Sequence, residues 1–203
     1  MHGSARWAAF AFTLLAACAS AEGQVSPSST GSPSIQPDAS GMPGLARTTL
    51  PGYVVRVSTL DAVELSADAL DPSALEALLV GDGFEVGKEV RFTAPAKPLT
   101  TVVARVLRFE SPTGAAGYVD WLRTHGRDLL GSKTQVADPP GPPDAIAFSH
   151  DPCLSCSKDT FWYFAAWTRG SYAVTLRLGG PRADSLAATP LADELDARVR
   201  DDG

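Results

Sequence analysis

The stretch DPPGPPD at residues 138–144 restricts the folding of this 203-residue chain more than any other feature. Proline fixes φ and has no amide donor, so four prolines in seven residues exclude both a helix and a central strand. The run predicts a rigid loop between two halves of one folded region. Residues 19–46 (including SPSSTGSPSIQPDASGMPG) limit the fold from the other side. They are rich in Ser, Pro, Gly and Ala and carry too few apolar side chains to make a core. That composition predicts a disordered tether with a coil reach on the order of 30 Å. Residues 47–203 remain as a single globular domain, long enough to bury a real core.

Within the domain the hydrophobic period switches between two and 3.6. Residues 53–57 (YVVRV) read as a short strand. Asp71 and Pro72 then open a helix through Ala74, Leu75, Leu78 and Leu79 that stops at Gly81, because Asp caps well and Pro suits the first turn. Phe84, Val86, Val90 and Phe92 alternate with Glu85, Glu89 and Arg91, as in a strand with one buried face; Lys88 interrupts the apolar side. A turn near Pro95 and Pro98 leads to a strand at 100–109. Ser111-Pro112 opens a helix to residue 130 with a buried stripe of Ala115, Tyr118, Val119, Leu122 and Leu129, ended by Gly131.

Beyond the proline loop come strands at 145–149, 160–168 and 171–178. The last two are joined as a hairpin at Arg169-Gly170. A helix at 183–198, kinked or restarted at Thr189-Pro190, closes the domain. The expected fold is α+β: an antiparallel sheet with helices packed on one face, strand-strand-helix and then strand-strand-strand-helix. This order of elements resembles small extracytoplasmic lipoproteins of the PsbP-like kind, and the resemblance implies a binding or accessory role in place of catalysis.

The N-terminus specifies an address. After one basic residue, Arg6, residues 7–17 (WAAFAFTLLAA) form an apolar run of eleven. At 1.5 Å per residue it is too short for a hydrocarbon core of ~30 Å, so it reads as a secretory signal over residues 1–17. Leu15-Ala16-Ala17-Cys18 resembles the lipobox of bacterial lipoproteins. The resemblance implies cleavage before Cys18 and a lipid on its thiol, hence a cell-membrane or outer-membrane anchor on the extracytoplasmic side. An ordinary signal peptide cut near Ala21 is the alternative.

Two further cysteines sit in HDPCLSCSK, Cys153 and Cys156. Outside the cytoplasm such a pair is expected to form a local disulfide. A redox dithiol is the second reading, although that chemistry wants a helix N-terminus after the first thiolate and a strand-like run follows here. A metal site on His150, Cys153, Cys156 and Asp151 is the third. It lacks the second ligand segment that zinc sites draw on, so no metal and no cofactor are expected.

Net charge is −6, and −7 after loss of Arg6. No stretch of sequence clusters Lys and Arg, so nothing marks a nucleic-acid partner or a charge-based hold on anionic lipid. Hydrolase, metalloprotease, nucleotide-loop and dinucleotide motifs are absent, which argues against an enzyme. His125 reads as a helix-surface or packing residue and not a catalytic one, and Asp193, Glu194 and Asp196 as a solvated helix face. In FWYFAAW, Phe161, Tyr163 and Trp167 share one strand face, and Trp162 and Phe164 the other. With helices on one side only, Trp162 and Phe164 are the candidate surface for a protein or small apolar ligand; burial in a central strand is the alternative. The readings that follow are a lipid-anchored binding domain, a thiol-disulfide protein, and a structural envelope component.

Overall fold

The structure is a computed structural model describing residues 38–67, 69–130, 134–150 and 161–201. The described elements run β1 (Val54–Leu60), α1 (Ala62–Ser66), α2 (Pro72–Gly81), β2 (Phe84–Thr93), β3 (Thr101–Phe109), α3 (Pro112–Leu130), β4 (Thr134–Val136), β5 (Ile146–His150), β6 (Trp162–Arg169), β7 (Tyr172–Gly179) and α4 (Ser185–Asp201). The strands form one antiparallel sheet in the order β1-β2-β3-β7-β6-β5-β4. The fold is α+β.

Local chemistry sets the element ends. The Asp61 carboxylate accepts the Glu64 amide while Glu64 reaches back to the Asp61 amide, a reciprocal capping box that starts α1. Asp71 accepts the Ala74 amide at 3.0 Å and Pro72 occupies the first turn of α2. The Ser111 hydroxyl accepts from Gly114 at 3.1 Å at the head of α3. Arg169 pairs with Tyr172, so Gly170 and Ser171 form a two-residue hairpin loop, with Gly170 at φ 53 where that loop favours glycine. Helices α2 and α3 meet tightly: a Cβ on Gly114 would clash with the Asp82 carbonyl oxygen.

The helices do not all pack on one face, as the sequence led us to expect. Side chains α1, α2 and α3 bury Leu65, Leu75, Leu79, Ala115, Tyr118, Val119 and Leu122 with Leu107, Phe109, Phe148, Phe164 and Ala166 of the sheet. Helix α4 lies on the opposite face, where Leu191, Leu195 and Val199 meet Val106, Ala165, Trp167, Val174 and Leu176. Each central strand therefore needs apolar side chains on both sides, the pattern expected of a doubly covered sheet.

The stretch expected to be tether also contributes. Ala39, Met42 and Leu45 are buried in the α4-side core, and the Lys88 ammonium donates to the Met42 carbonyl. The globular part thus begins by residue 39 and not at 47. Three apolar anchors in a Ser/Pro/Gly-rich stretch suffice because Lys88, the residue that broke the apolar face of β2, ties that stretch to the sheet. The proline loop joins β4 to β5 and lies inside the second half of the domain, not between halves. Strand β4 has only three residues, too few to show a period in sequence. Pro190 falls within α4 without ending it. Gly131 and the side chain of Leu129 lie outside the described residues.

Candidate functional site

Alternation along the strands assigns side chains to faces, except that a register shift between Phe84 and Val86 puts Phe84 on the α1–α3 side and not with Val86, Val90 and Phe92, whose face it was expected to share. The face opposite α4 is shared between two kinds of surface. Helices α1–α3 cover the part built on Leu60, Leu107, Ala166 and Phe164. Beside it the sheet carries arginines. Arg56 on β1 is the direct register partner of Arg91 on β2; Arg91 faces Val103 on β3, and Val103 faces Arg177 on β7. One row along, Ser58 faces Glu89, Glu89 faces Arg105, and Arg105 faces Thr175. Four arginines from four strands thus share one sheet face, and two of them, Arg91 and Arg105, share a single carboxylate.

That carboxylate is buried: Glu89 is 5% exposed. One of its oxygens accepts the Arg91 Nε–H at 2.9 Å and the other the Arg105 Nε–H at 2.8 Å. Burial by itself raises the Glu89 pKa, but the two guanidinium hydrogen bonds and charges outweigh it and hold the carboxyl below its ordinary value. Arg56 and Arg177 are exposed, whereas Arg91 and Arg105 are partly covered. Arg105 also marks the border with the helices. Burial pushes the Tyr118 hydroxyl up to about 12, a rise that the Arg105 charge reduces.

At the far end of this face Trp162 stacks on His150, ring centroids 5.6 Å apart and 11° from parallel, with the Arg177 guanidinium 5.8 Å from the Trp162 ring centre. His150 Nδ1 is buried and has no hydrogen-bond partner among the described residues. Phe164, the other residue expected to offer an apolar surface, is instead buried against Phe148. The candidate pair Trp162 and Phe164 therefore does not form an open apolar patch, because α3 covers the second face. Tyr163 and Trp167 are buried on the α4 side, as their alternation implied.

Other candidates settle into structure. His125 is on the exposed side of α3, stacked on Trp121. Asp196 is not solvated as expected: it is buried on α4, where it accepts from Trp167 Nε1 at 3.0 Å and pairs with Arg169 at 2.7 Å and Arg200 at 3.3 Å. Cys18, Cys153, Cys156 and Asp151 lie outside the described residues. Among the described residues no group of three His, Cys, Asp or Glu could hold a metal, and no helix is long and apolar enough to cross a membrane. A separate open cleft of about 370 Å³ lies on the α4 side near β1, lined by Asp38, Leu45, Arg47, Val57, Lys88 and Val90.

The absence of a basic cluster in the sequence does not carry over to the fold. Arg56, Arg91, Arg105 and Arg177 are scattered along the chain and meet only through strand register. Their positions among the polar residues of alternating strands were the one readable sign of them.

No family model matches the chain, and no curated protein matches its sequence. Among solved structures, the extracellular domain of PknH from Mycobacterium tuberculosis is similar over 74% of this chain and 81% of that one, with 14% identity and a TM-score of 0.40. That likeness is too distant to assign a function.

Proposed function

We propose that this protein is a membrane-anchored extracytoplasmic lipoprotein, held by lipid on Cys18, whose folded domain binds an anionic ligand or partner and catalyses nothing. Attachment is supported by the Leu15-Ala16-Ala17-Cys18 sequence behind an apolar run too short to span a bilayer. The observation that carries the binding role is the direct pairing of Arg56 with Arg91 across β1 and β2. Like charges directly opposite on a sheet are destabilising, and departures from local rules concentrate where a site needs them. An anion on that face removes the repulsion. The burial of Phe164 weighs against a small apolar ligand there.

Attachment is tested with the full chain and its Cys18→Ser variant, expressed in bacteria fed a clickable fatty acid. The wild-type chain should take up the label and sediment with membranes, and the variant should do neither. A Cys18→Ser chain that still carries label and still sediments with membranes would overturn the anchor.

A further inference from the structure

We propose that Arg91 and Arg105, bridged by Glu89 and flanked by Arg56, form a site for a tetrahedral dianion of the phosphate-group class. The proposal rests on the anion-binding reading of this face and narrows it to a ligand chemistry. Glu89 takes the Nε–H of both arginines, and neither guanidinium makes another hydrogen bond among the described residues. Each fork is thereby held at Nε, and its terminal amino groups have no hydrogen-bond partner among the described residues. A guanidinium gripped at Nε keeps the paired donors that hold two oxygens of one oxyanion. Arg56, which has no ion pair among the described residues, brings a third fork alongside by register.

Charge selects the class. Three guanidiniums and one carboxylate leave the cluster two positive charges in excess, which a dianion cancels and a carboxylate ligand does not. Three forks also call for three acceptor oxygens, and a tetrahedral group offers them where a carboxylate has two. The balance of the whole chain, −6, opposes an extended polyanion such as a nucleic acid or an anionic bilayer. An isolated anionic group meets only the local field. Glu89 is buried and both of its oxygens are already engaged by the Arg91 and Arg105 Nε–H groups, so the carboxylate offsets one charge without offering a free oxygen to the ligand.

The experiment is calorimetry on the mature full-length chain in detergent at low salt, with inorganic phosphate, sulfate and acetate as probes. Phosphate and sulfate should bind saturably at pH 7.5, and acetate at least about tenfold more weakly. Lowering the pH to 5.5 should weaken phosphate, which becomes monoanionic, and leave sulfate unchanged. Arg91→Ala and Arg105→Ala should each weaken phosphate about tenfold or more, as expected for lost charge-assisted hydrogen bonds. Arg56→Ala, at the exposed sheet end, should weaken it about threefold and serves if the inner variants fail to fold. Arg123→Ala, on the exposed surface of α3, should leave it unchanged. Acetate binding as tight as phosphate, and dependent on Arg105, would overturn the dianion while leaving the anion-binding reading in place. Binding of none of the probes, or binding indifferent to Arg56, Arg91 and Arg105, would overturn both.

Discussion

The two faces of the sheet are built from the same strands to opposite ends. On the α4 side, Trp167, Leu176, Leu195 and the early residues Ala39, Met42 and Leu45 close over one another, and the buried charge on that side, Asp196, is matched by the Trp167 indole and by Arg169 and Arg200. On the α1–α3 side only part of the sheet is closed. The rest sets Arg56 against Arg91 and leaves two guanidiniums sharing one carboxylate. One face is closed by apolar packing and the other keeps two like charges in direct register. The contrast teaches that where the sheet stays open its residues are charged, Arg56, Arg91 and Arg177 standing where the closed face has apolar side chains.

The comparison breaks most directly at Trp167. Trp167→Ala should destabilise the domain by about 3–5 kcal/mol, read as a lower urea midpoint, because it opens a cavity and leaves Asp196 short of a donor. A loss below about 1 kcal/mol would mean that the α4 face is not closed as described.

Glu89→Gln sharpens the other side. At neutral pH it should cost about 1–3 kcal/mol, the worth of hydrogen bonds to charged groups. Because the folded pKa of Glu89 lies below its ordinary 4.5, its contribution is present above that value and is lost as pH falls through the lower, folded one. The wild-type and Glu89→Gln stability curves should therefore converge in acid. Curves that stay parallel from pH 7 to pH 3 would show that the charge of Glu89 does no stabilising.

The smallest effect has the opposite sign. Arg56→Glu replaces a like-charge pair with an attractive one and should raise stability by about 0.2–1 kcal/mol while removing anion binding. A variant that is less stable would show that Arg56 and Arg91 do not repel in the fold.

Much of the element order was legible, because caps and periods are local. Asp71-Pro72, Ser111 and the Arg169–Tyr172 hairpin act within a few residues, and the alternation of Tyr163 and Trp167 implied their shared face. Helix α1 was missed although Asp61 and Glu64 stand at capping-box spacing, because five residues show no apolar period. Burial of Ala39, Met42 and Leu45 was hidden because composition averages over a segment, whereas docking needs only three side chains and the Lys88 bond. The arginine face was illegible for a stronger reason. Position 56 meets 91, and 105 lies on the strand next to that of 177, through pairings that no local window contains.

The two ends of the sheet differ in a way that bears on solubility. Among the described residues the β4 end is three residues long and runs straight into the proline loop, so it presents little backbone to another chain. The β1 end is seven residues long, with Val54 and Val57 exposed. A strand of that length is a template on which a second molecule can add, and Arg56 is the charged side chain in its middle. A second copy adding with its own Arg56 opposite would set two guanidiniums against each other, and a charge in the middle of an edge strand is the kind of residue that guards against edge-to-edge aggregation.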